Sequence, residues 1–276
     1  MGVKARQSVW FRLVRLRIGG MDASVKATNE MSESAWLCQP RARIGLIIPS
    51  VNRLSELQFH HFAPAELGIH VARARITGKW RRTIAEMSDE IARAAAMLAD
   101  CGPDLIVYHC TDSSMREGVA GEESVVDIIR RETGVETLAT SALVVEALRA
   151  LAIRSLVIVS PYANNDVIAR YLRERGFAVV HDVALGLDVH AFAAVPPDRW
   201  LEVARDNARP GAEGYFLSCT NTTQIEAIAR IEQSLGKPVV NSNQAVLWGC
   251  MKRLRHVLSP ASPDPRLGVL MQCFAS

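Results

Sequence analysis

The sequence predicts an α/β fold: two similar units, each with a parallel sheet, which a pseudo-twofold axis would relate. Three observations carry this. The stretch Asp104-Leu-Ile-Val-Tyr-His-Cys-Thr-Asp-Ser-Ser114 returns in kind as Gly214-Tyr-Phe-Leu-Ser-Cys-Thr-Asn-Thr-Thr223. Each is an apolar run of strand character that delivers a cysteine into a small polar segment opening a helical pattern. Upstream, Ile44-Gly-Leu-Ile-Ile-Pro-Ser-Val-Asn52 is matched by Ser155-Leu-Val-Ile-Val-Ser-Pro-Tyr-Ala-Asn164. The interval from Asn52 to Cys110 nearly equals that from Asn164 to Cys219, as two halves descended from one unit would have it. Finally, strand patterns alternate with helical patterns, the signature of a parallel sheet covered by helices on both faces.

Residues 1–40 carry no such pattern and read as a mobile N-terminal extension. The basic piece Val9-Trp-Phe-Arg-Leu-Val-Arg-Leu-Arg-Ile18 also fits a transit peptide or a membrane-surface helix. Translation from Met21 or Met31 is the plainer alternative. The first unit, 41–140, opens with strand 43–48, a loop holding Asn52, and helical spacing over 54–62. Residues 69–75 alternate as a strand. Ile84, Met87, Ile91, Ala94, Ala95 and Leu98 share one face of a helix over 83–99, which ends near Gly102-Pro103. Strand 104–109, a helix over 119–133 stopped by Gly134, and strand 135–138 complete the unit; helix 141–151 bridges onward. The second unit, 141–242, repeats the plan: strand 155–160, helix 164–175, strand 177–184, helix 198–208, strand 214–218, helix 222–235 stopped by Gly236, and strand 238–241. Residues 243–276 form a C-terminal helix and tail that pack back on the first unit. Each unit is Rossmann-like or flavodoxin-like in plan. Ligands in such sheets bind beyond the carboxyl ends of the strands, where Asn52, Cys110, Asn164 and Cys219 all fall.

A chain of 276 residues with 49% hydrophobic and 22% charged residues buries a sizeable core. Much of its net charge of +3 comes from Lys4, Arg6, Arg12, Arg15 and Arg17. The remainder is balanced, which argues against a nucleic-acid footprint. No apolar run reaches the roughly 18 residues of a membrane helix. The six cysteines form no C-x-x-C pair and no zinc spacing, so reduced thiols in the cytoplasm are the expected state. The apolar helices make a homodimer the expected assembly.

If the strand ends face each other, Cys110 and Cys219 approach one pocket from opposite sides. A helix N-terminus beneath each sulfur would lower the thiol pKa and receive a carboxylate. Such a pair suits a two-base racemisation, in which one thiolate removes an α-proton and the other thiol returns one. It equally suits a cis–trans isomerisation through thiolate addition, bond rotation and elimination.

These residues resemble the aspartate/glutamate racemase-like superfamily, and within it the branch of maleate cis–trans isomerase and arylmalonate decarboxylase. The resemblance covers about residues 41–255 and rests on the stretches at 45–52, 108–114, 160–162, 185–188 (Leu-Gly-Leu-Asp) and 218–221. It implies two α/β domains around the active site, a small carboxylic acid as substrate, no cofactor and no metal. By position it implies Cys110 as attacking thiolate and Cys219 as proton donor. Asn52 and Tyr162 would hold the carboxylate, with Thr111, Asp112, Ser113 and Thr220 as further donors. The family's decarboxylases have glycine where Cys110 stands, so both thiols together favour an isomerase or racemase. A decarboxylase using Cys219 alone, and a non-catalytic acid-binding protein, are the rivals. Two departures stand out: His190 falls where maleate isomerases often have asparagine, and Asp112 would repel a dicarboxylate unless protonated or turned away. They leave open a substrate bearing an amino, amide or aryl group.

Other features read plainly. Cys38, Cys101, Cys250 and Cys273 are structural or incidental. Asn164 is a turn residue, and His60, His61 and His70 serve packing or solvent. Alternation points the His109 ring away from the sulfur of Cys110. The Arg and Glu positions of 81–93 and 170–175 read as solvated helix faces.

Overall fold

Each half of the chain builds one four-stranded, all-parallel sheet in a computed structural model that describes residues 40–259 and 264–274. The expectations for residues 1–39, Cys38 included, lie outside the described residues. The first sheet contains β1 (Ala42–Pro49), β2 (Leu67–Ala74), β3 (Leu105–Tyr108) and β4 (Glu136–Ala139), in the order β2-β1-β3-β4. The second contains β5 (Ser155–Ser160), β6 (Ala178–Ala184), β7 (Gly214–Leu217) and β8 (Val239–Asn241), in the order β6-β5-β7-β8. The two orders are the same, so the repeat in the sequence is a repeat of topology. In each sheet the chain reverses direction of travel between the first and third strands, and the loops after those strands form the switch point where ligands bind. The loop after β1 carries Asn52 and the one after β3 carries Cys110; after β5 and β7 come Tyr162 and Cys219.

Helices α1 (Ser55–Phe62), α2 (Ser88–Ala99), α3 (Thr111–Arg116), α4 (Gly118–Thr133) and α5 (Thr140–Ala150) accompany the first sheet in chain order. Helices α6 (Asp166–Glu174), α7 (Pro197–Asp206), α8 (Ile228–Leu235) and α9 (Ser242–Leu254) follow. Both expected glycine stops occur: α4 ends at Gly134 and α8 at Gly236, with φ of 68° and 61°, a region that penalises a Cβ. Helix α9 starts from a capping box in which Asn241 and Gln244 exchange side-chain and backbone hydrogen bonds.

Side-chain alternation along β1 divides the core. Ile44, Leu46 and Ile48 join a large cluster with β5, α5 and α9, where Leu156, Leu143, Leu148 and Trp248 are buried. Ile47 points to the opposite face with Ile106 and Tyr108, against Ile91, Ala95 and Leu98 of α2 and Ile129 of α4. The first sheet is therefore covered on both faces, as its continuous apolar runs require. Each such buried aliphatic side chain contributes roughly 1.5–3 kcal/mol over its exposed state. Cys250 lies in the large cluster, the place of a small hydrophobe.

Two helix starts differ markedly from expectation. The helix expected from Thr83 starts at Ser88, because donors of its first turn are met by side chains: Glu86 accepts from the Thr83 N–H at 2.9 Å, and Glu117 from that of Ile84 at 2.7 Å. The helix expected over 222–235 opens as a 3-10 turn, Thr223–Ala227, and becomes α-helical at Ile228. Cys219 is accordingly not at a helix start but in an irregular segment, with φ of 140°.

The close approach at the start of β7 is testable. A Cβ at Gly214 would lie 2.4 Å from Cδ1 of Ile153 and 3.0 Å from the Pro238 carbonyl oxygen. Gly214→Ala should cost about 1–3 kcal/mol through overpacking, read as a lower urea midpoint at unchanged slope. An unshifted midpoint would show that the contact yields freely.

Candidate active site

The loops beyond β1, β3, β5 and β7 meet around a cavity of about 100 Å³. Its wall includes Asn52, Cys110, Thr111, Asp112, Tyr162, Cys219 and Thr220, which brings together seven of the nine residues singled out from the sequence. Ser113 and His190 are not on it. Pro49, Val51, Thr77, Gly78, Arg81, Val189, Phe192 and Asn221 complete the wall.

Asn52 is buried and tied down at both ends of its amide. Its Oδ1 accepts from the N–H groups of Leu54 and Ser55, at 3.1 and 2.9 Å, which starts α1 as an Asx turn. Its Nδ2 donates to Ser55 Oγ at 2.9 Å and, across the cavity, to Thr220 Oγ1 at 3.1 Å and the Thr220 carbonyl at 3.2 Å. Asn52 thus orders the loop beside Cys219 with the same hydrogens that were expected to hold a carboxylate.

Cys110 leaves β3 and precedes α3 with extended backbone. The Ser113 N–H hydrogen-bonds its sulfur, while the Ser113 hydroxyl pairs with Tyr108 at 2.6 Å. Ser113 therefore addresses the thiol and not the cavity. Thr111 Oγ1 donates to Ser242 Oγ at 2.8 Å, and the Cys219 N–H donates to that same oxygen at 3.3 Å, so Ser242 couples the two cysteine loops. The Cys219 sulfur accepts from the Asn221 N–H at 3.3 Å and from the Tyr162 hydroxyl. Tyr162 packs edge-on to Phe192, with ring centroids 5.7 Å apart.

The electrostatics overturn one expectation. Both thiols were expected to be acidified by a helix terminus, yet burial pushes Cys219 up to about 11 and Cys110 higher still. Burial is the largest cause for each. Asp112 adds to the rise at Cys110, against the Ser113 N–H, whereas the Asn221 N–H and Tyr162 hydroxyl restrain it at Cys219. The helix after Cys110 has six residues and Cys219 has none beneath it, so neither dipole offsets desolvation. Burial also keeps the Tyr162 hydroxyl protonated, and hence a donor.

Asp112, the expected source of repulsion, is neutralised. Arg116, one helical turn on, holds both of its carboxylate oxygens, and Arg81 reaches Oδ2 at 3.3 Å. Arg81 is thus part of the wall rather than of a solvated helix face, and nothing in its local sequence signals this. His190 is a second correction. Its side chain is exposed, while its backbone is engaged: the N–H donates to Asp188 Oδ1 at 2.9 Å and the carbonyl accepts from Arg53. The Leu-Gly-Leu-Asp stretch folds against the β5 loop through Gly186 N–H to Tyr162 O at 2.8 Å and Leu187 N–H to Pro161 O at 3.0 Å. That turn presents Val189 and Phe192 to the cavity. Asn164 is exposed and caps a turn, accepting from the Asp166 N–H.

Beneath the cavity lies a buried polar cluster. Gln58 Nε2 donates to the Thr222 carbonyl at 2.8 Å, which orients that amide and makes its Oε1 the acceptor for Asn243 Nδ2 at 2.5 Å. Asn243 Oδ1 must then accept, at 2.9 Å, from His109 Nε2. His109 is fixed as the Nε2–H tautomer, with Nδ1 facing the Thr140 hydroxyl at 3.1 Å. Burial holds its pKa down to about 3, so the ring is neutral. Among the described residues, no three His, Cys, Asp or Glu side chains converge as a metal site, and no helix is long and apolar enough to cross a membrane.

Alkylation with iodoacetamide tests the burial argument. In the ligand-free protein Cys101, which is exposed, should react first, and Cys219 should titrate before Cys110, both above the ordinary thiol value of about 8.5. An apparent pKa at or below that value for either buried cysteine would contradict it.

Comparison with known proteins gives consistent matches. The family model described as arylmalonate decarboxylase matches residues 56–264. A maleate isomerase of Pseudomonas putida is 26% identical over 228 residues, covering 77% of this chain and 91% of its own. The crystal structure of a maleate isomerase from Pseudomonas putida S16 with maleate superposes with a TM-score of 0.76 at 22% identity, covering 83% of this chain and 97% of that one. A Nocardia farcinica maleate cis–trans isomerase, a cysteine mutant with a covalently bound succinylcysteine intermediate, superposes with a TM-score of 0.71 at 22% identity, over 78% and 93% of the two chains.

Proposed function

Since the chain belongs to the arylmalonate decarboxylase family, we propose that it is a cysteine-dependent isomerase of a small unsaturated carboxylic acid, resembling maleate cis–trans isomerase. The observation that carries this reading is the pair of buried thiols on one cavity wall, Cys110 from the first half and Cys219 from the second. A decarboxylase needs only a single proton donor beside an enediolate. Two thiols suit a reaction that forms and breaks a bond at one carbon while moving a proton at its neighbour.

The cycle runs as follows. The Cys110 thiolate attacks one alkene carbon and forms a C–S bond. The displaced π pair moves to the adjacent carbon, which takes the proton from the Cys219 Sγ–H. The bond between these carbons, now single, rotates. The Cys219 thiolate removes the proton, the pair returns to form the double bond, the C–S bond breaks, and the trans acid leaves with Cys110 again a thiolate. The succinylcysteine of the Nocardia farcinica relative is the adduct such an addition yields from a four-carbon diacid. Asn221 and Tyr162, which donate to the Cys219 sulfur, stabilise it in the step where it carries charge. The substrate carboxylate would lie against Thr220 and the backbone amides of Thr111 and Asp112.

Burial holds both sulfurs as thiols, so one proton must leave before turnover. Cys219 releases it more readily, and passage of the Cys110 proton to the Cys219 sulfur then gives the attacking thiolate and restores the Cys219 thiol. Protonated Cys110 predominates at low pH, and kcat/KM should therefore rise about tenfold per pH unit from pH 6 to 8, as it does below the pKa of an essential thiolate. A flat or falling profile would count against the thiolate step. Cys110→Ser should abolish isomerisation of maleate followed by ultraviolet absorbance, and Cys219→Ser should slow it about 10²–10⁴-fold, the range for a lost general acid. Carbon dioxide release from an arylmalonate that survives Cys110→Ser would transfer the assignment to decarboxylation through Cys219.

A further inference from the structure

We propose that Arg81 is a specificity-determining residue that takes the second anionic group of a short dicarboxylic acid, exchanging its contact with Asp112 for one with the substrate. This rests on the acid-binding reading of the cavity given above. Arg81 and Asp112 are the two charged residues on the cavity wall, and their charges are not equally available. Arg116 already engages both oxygens of Asp112 from the same face of α3, one turn away. Arg81 makes a single contact to that carboxylate, 3.3 Å long, and its side chain is 50% exposed, against 16% for Asp112. When Arg81 swings away, Asp112 keeps its counter-ion, and the positive charge of Arg81 is the one left without an equivalent in the wall.

The backbone that carries Arg81 is closed into a turn, while its guanidinium has the one contact to Asp112. Gly78–Trp80 form a 3-10 turn closed by hydrogen bonds from the Trp80 N–H to the Thr77 carbonyl and from the Arg81 N–H to the Gly78 carbonyl. The turn needs φ of 65° at Gly78, itself on the wall. Trp80 lies against two cations, Arg75 at 4.6 Å and Lys79 at 5.0 Å, which fixes the ring outside the cavity. A half-exposed guanidinium on a hydrogen-bonded turn, at the margin of the cavity, is suited to a carboxylate by charge and by its paired donors. A cavity of about 100 Å³ limits the acid to a few carbons. Thr77, Gly78 and Arg81 come from a segment between β2 and α2 that contributes nothing to the thiols. Its part is therefore to choose the substrate and not to transform it.

The test uses the full chain and needs no turnover. Wild type, Arg81→Gln and Arg81→Lys are alkylated with iodoacetamide at pH 8.5, with protection of Cys219 measured against maleate and against its monomethyl ester. In the wild type maleate should protect at about ten- to hundredfold lower concentration than the ester, as a charge-assisted hydrogen bond allows. Arg81→Gln should erase that difference by weakening maleate while leaving the ester unchanged, and Arg81→Lys should restore part of it. A diacid preference that survives Arg81→Gln overturns the proposal. So does loss of ester protection in that variant, because the residue would then be shaping the cavity and not reading charge. If neither acid protects the wild type, the acid-binding reading itself fails, an outcome separate from failure of Arg81 alone.

Discussion

One carbonyl oxygen, that of Thr220, holds the two halves of the site in register. It accepts from Ser55 Oγ at 2.8 Å, from Asn243 Nδ2 at 3.1 Å and from Asn52 Nδ2 at 3.2 Å. These donors arrive from the start of α1, the start of α9 and the loop after β1, while the acceptor sits next to Cys219. A buried carbonyl without partners costs about 1–3 kcal/mol, so the loop cannot move away from the first half without exposing that cost. The His109 ring extends the arrangement by donating to Asn243 from the residue before Cys110. Both thiols are thus located by hydrogen bonds of their neighbours as well as by their own.

The same arrangement bears on the chemistry of the cavity. The polar cluster is buried with its members bonded to one another, and the thiols above it are desolvated enough to stay protonated. Asn52 and Ser113 illustrate the division of labour: each was expected to meet the substrate, and each is engaged within the protein, one on the Thr220 loop and the other on the Cys110 sulfur. Charge enters at one corner, where Asp112 is covered by arginines. Cys219 occupies φ of 140°, a backbone state costing of order 1–3 kcal/mol for a residue with a side chain. The Ser242 and Asn221 hydrogen bonds around it maintain that state.

Much of this was legible in the chain because strand-end motifs are local. The repeated apolar run ending in cysteine names its position in a parallel sheet by itself, and the two Pro-Ser-Asn-type turns name theirs, so Cys110, Cys219, Asn52 and Tyr162 could be found without knowing any contact. Helix stops at Gly134 and Gly236 were legible for the same reason. Arg81, Val189 and Phe192 were not, since each reaches the cavity through a loop whose path depends on tertiary packing. The Arg81 turn precedes an amphipathic helix and shares its composition. The thiol pKa values failed for a related reason: a helix terminus can be read from sequence, but desolvation depends on what the rest of the chain puts above it.

The two cysteines are each followed by threonine and then by a polar residue, Asp112 in one half and Asn221 in the other. These positions are equivalent by topology and differ by one charge. A duplicated framework would present nearly matching walls to the two ends of a molecule. This substitution, with the arginines gathered around Asp112, gives the enclosure a polarity. Two chemically identical ends of a symmetric guest are then no longer equivalent once inside, and an isotopic label placed on one of them acquires a handed address.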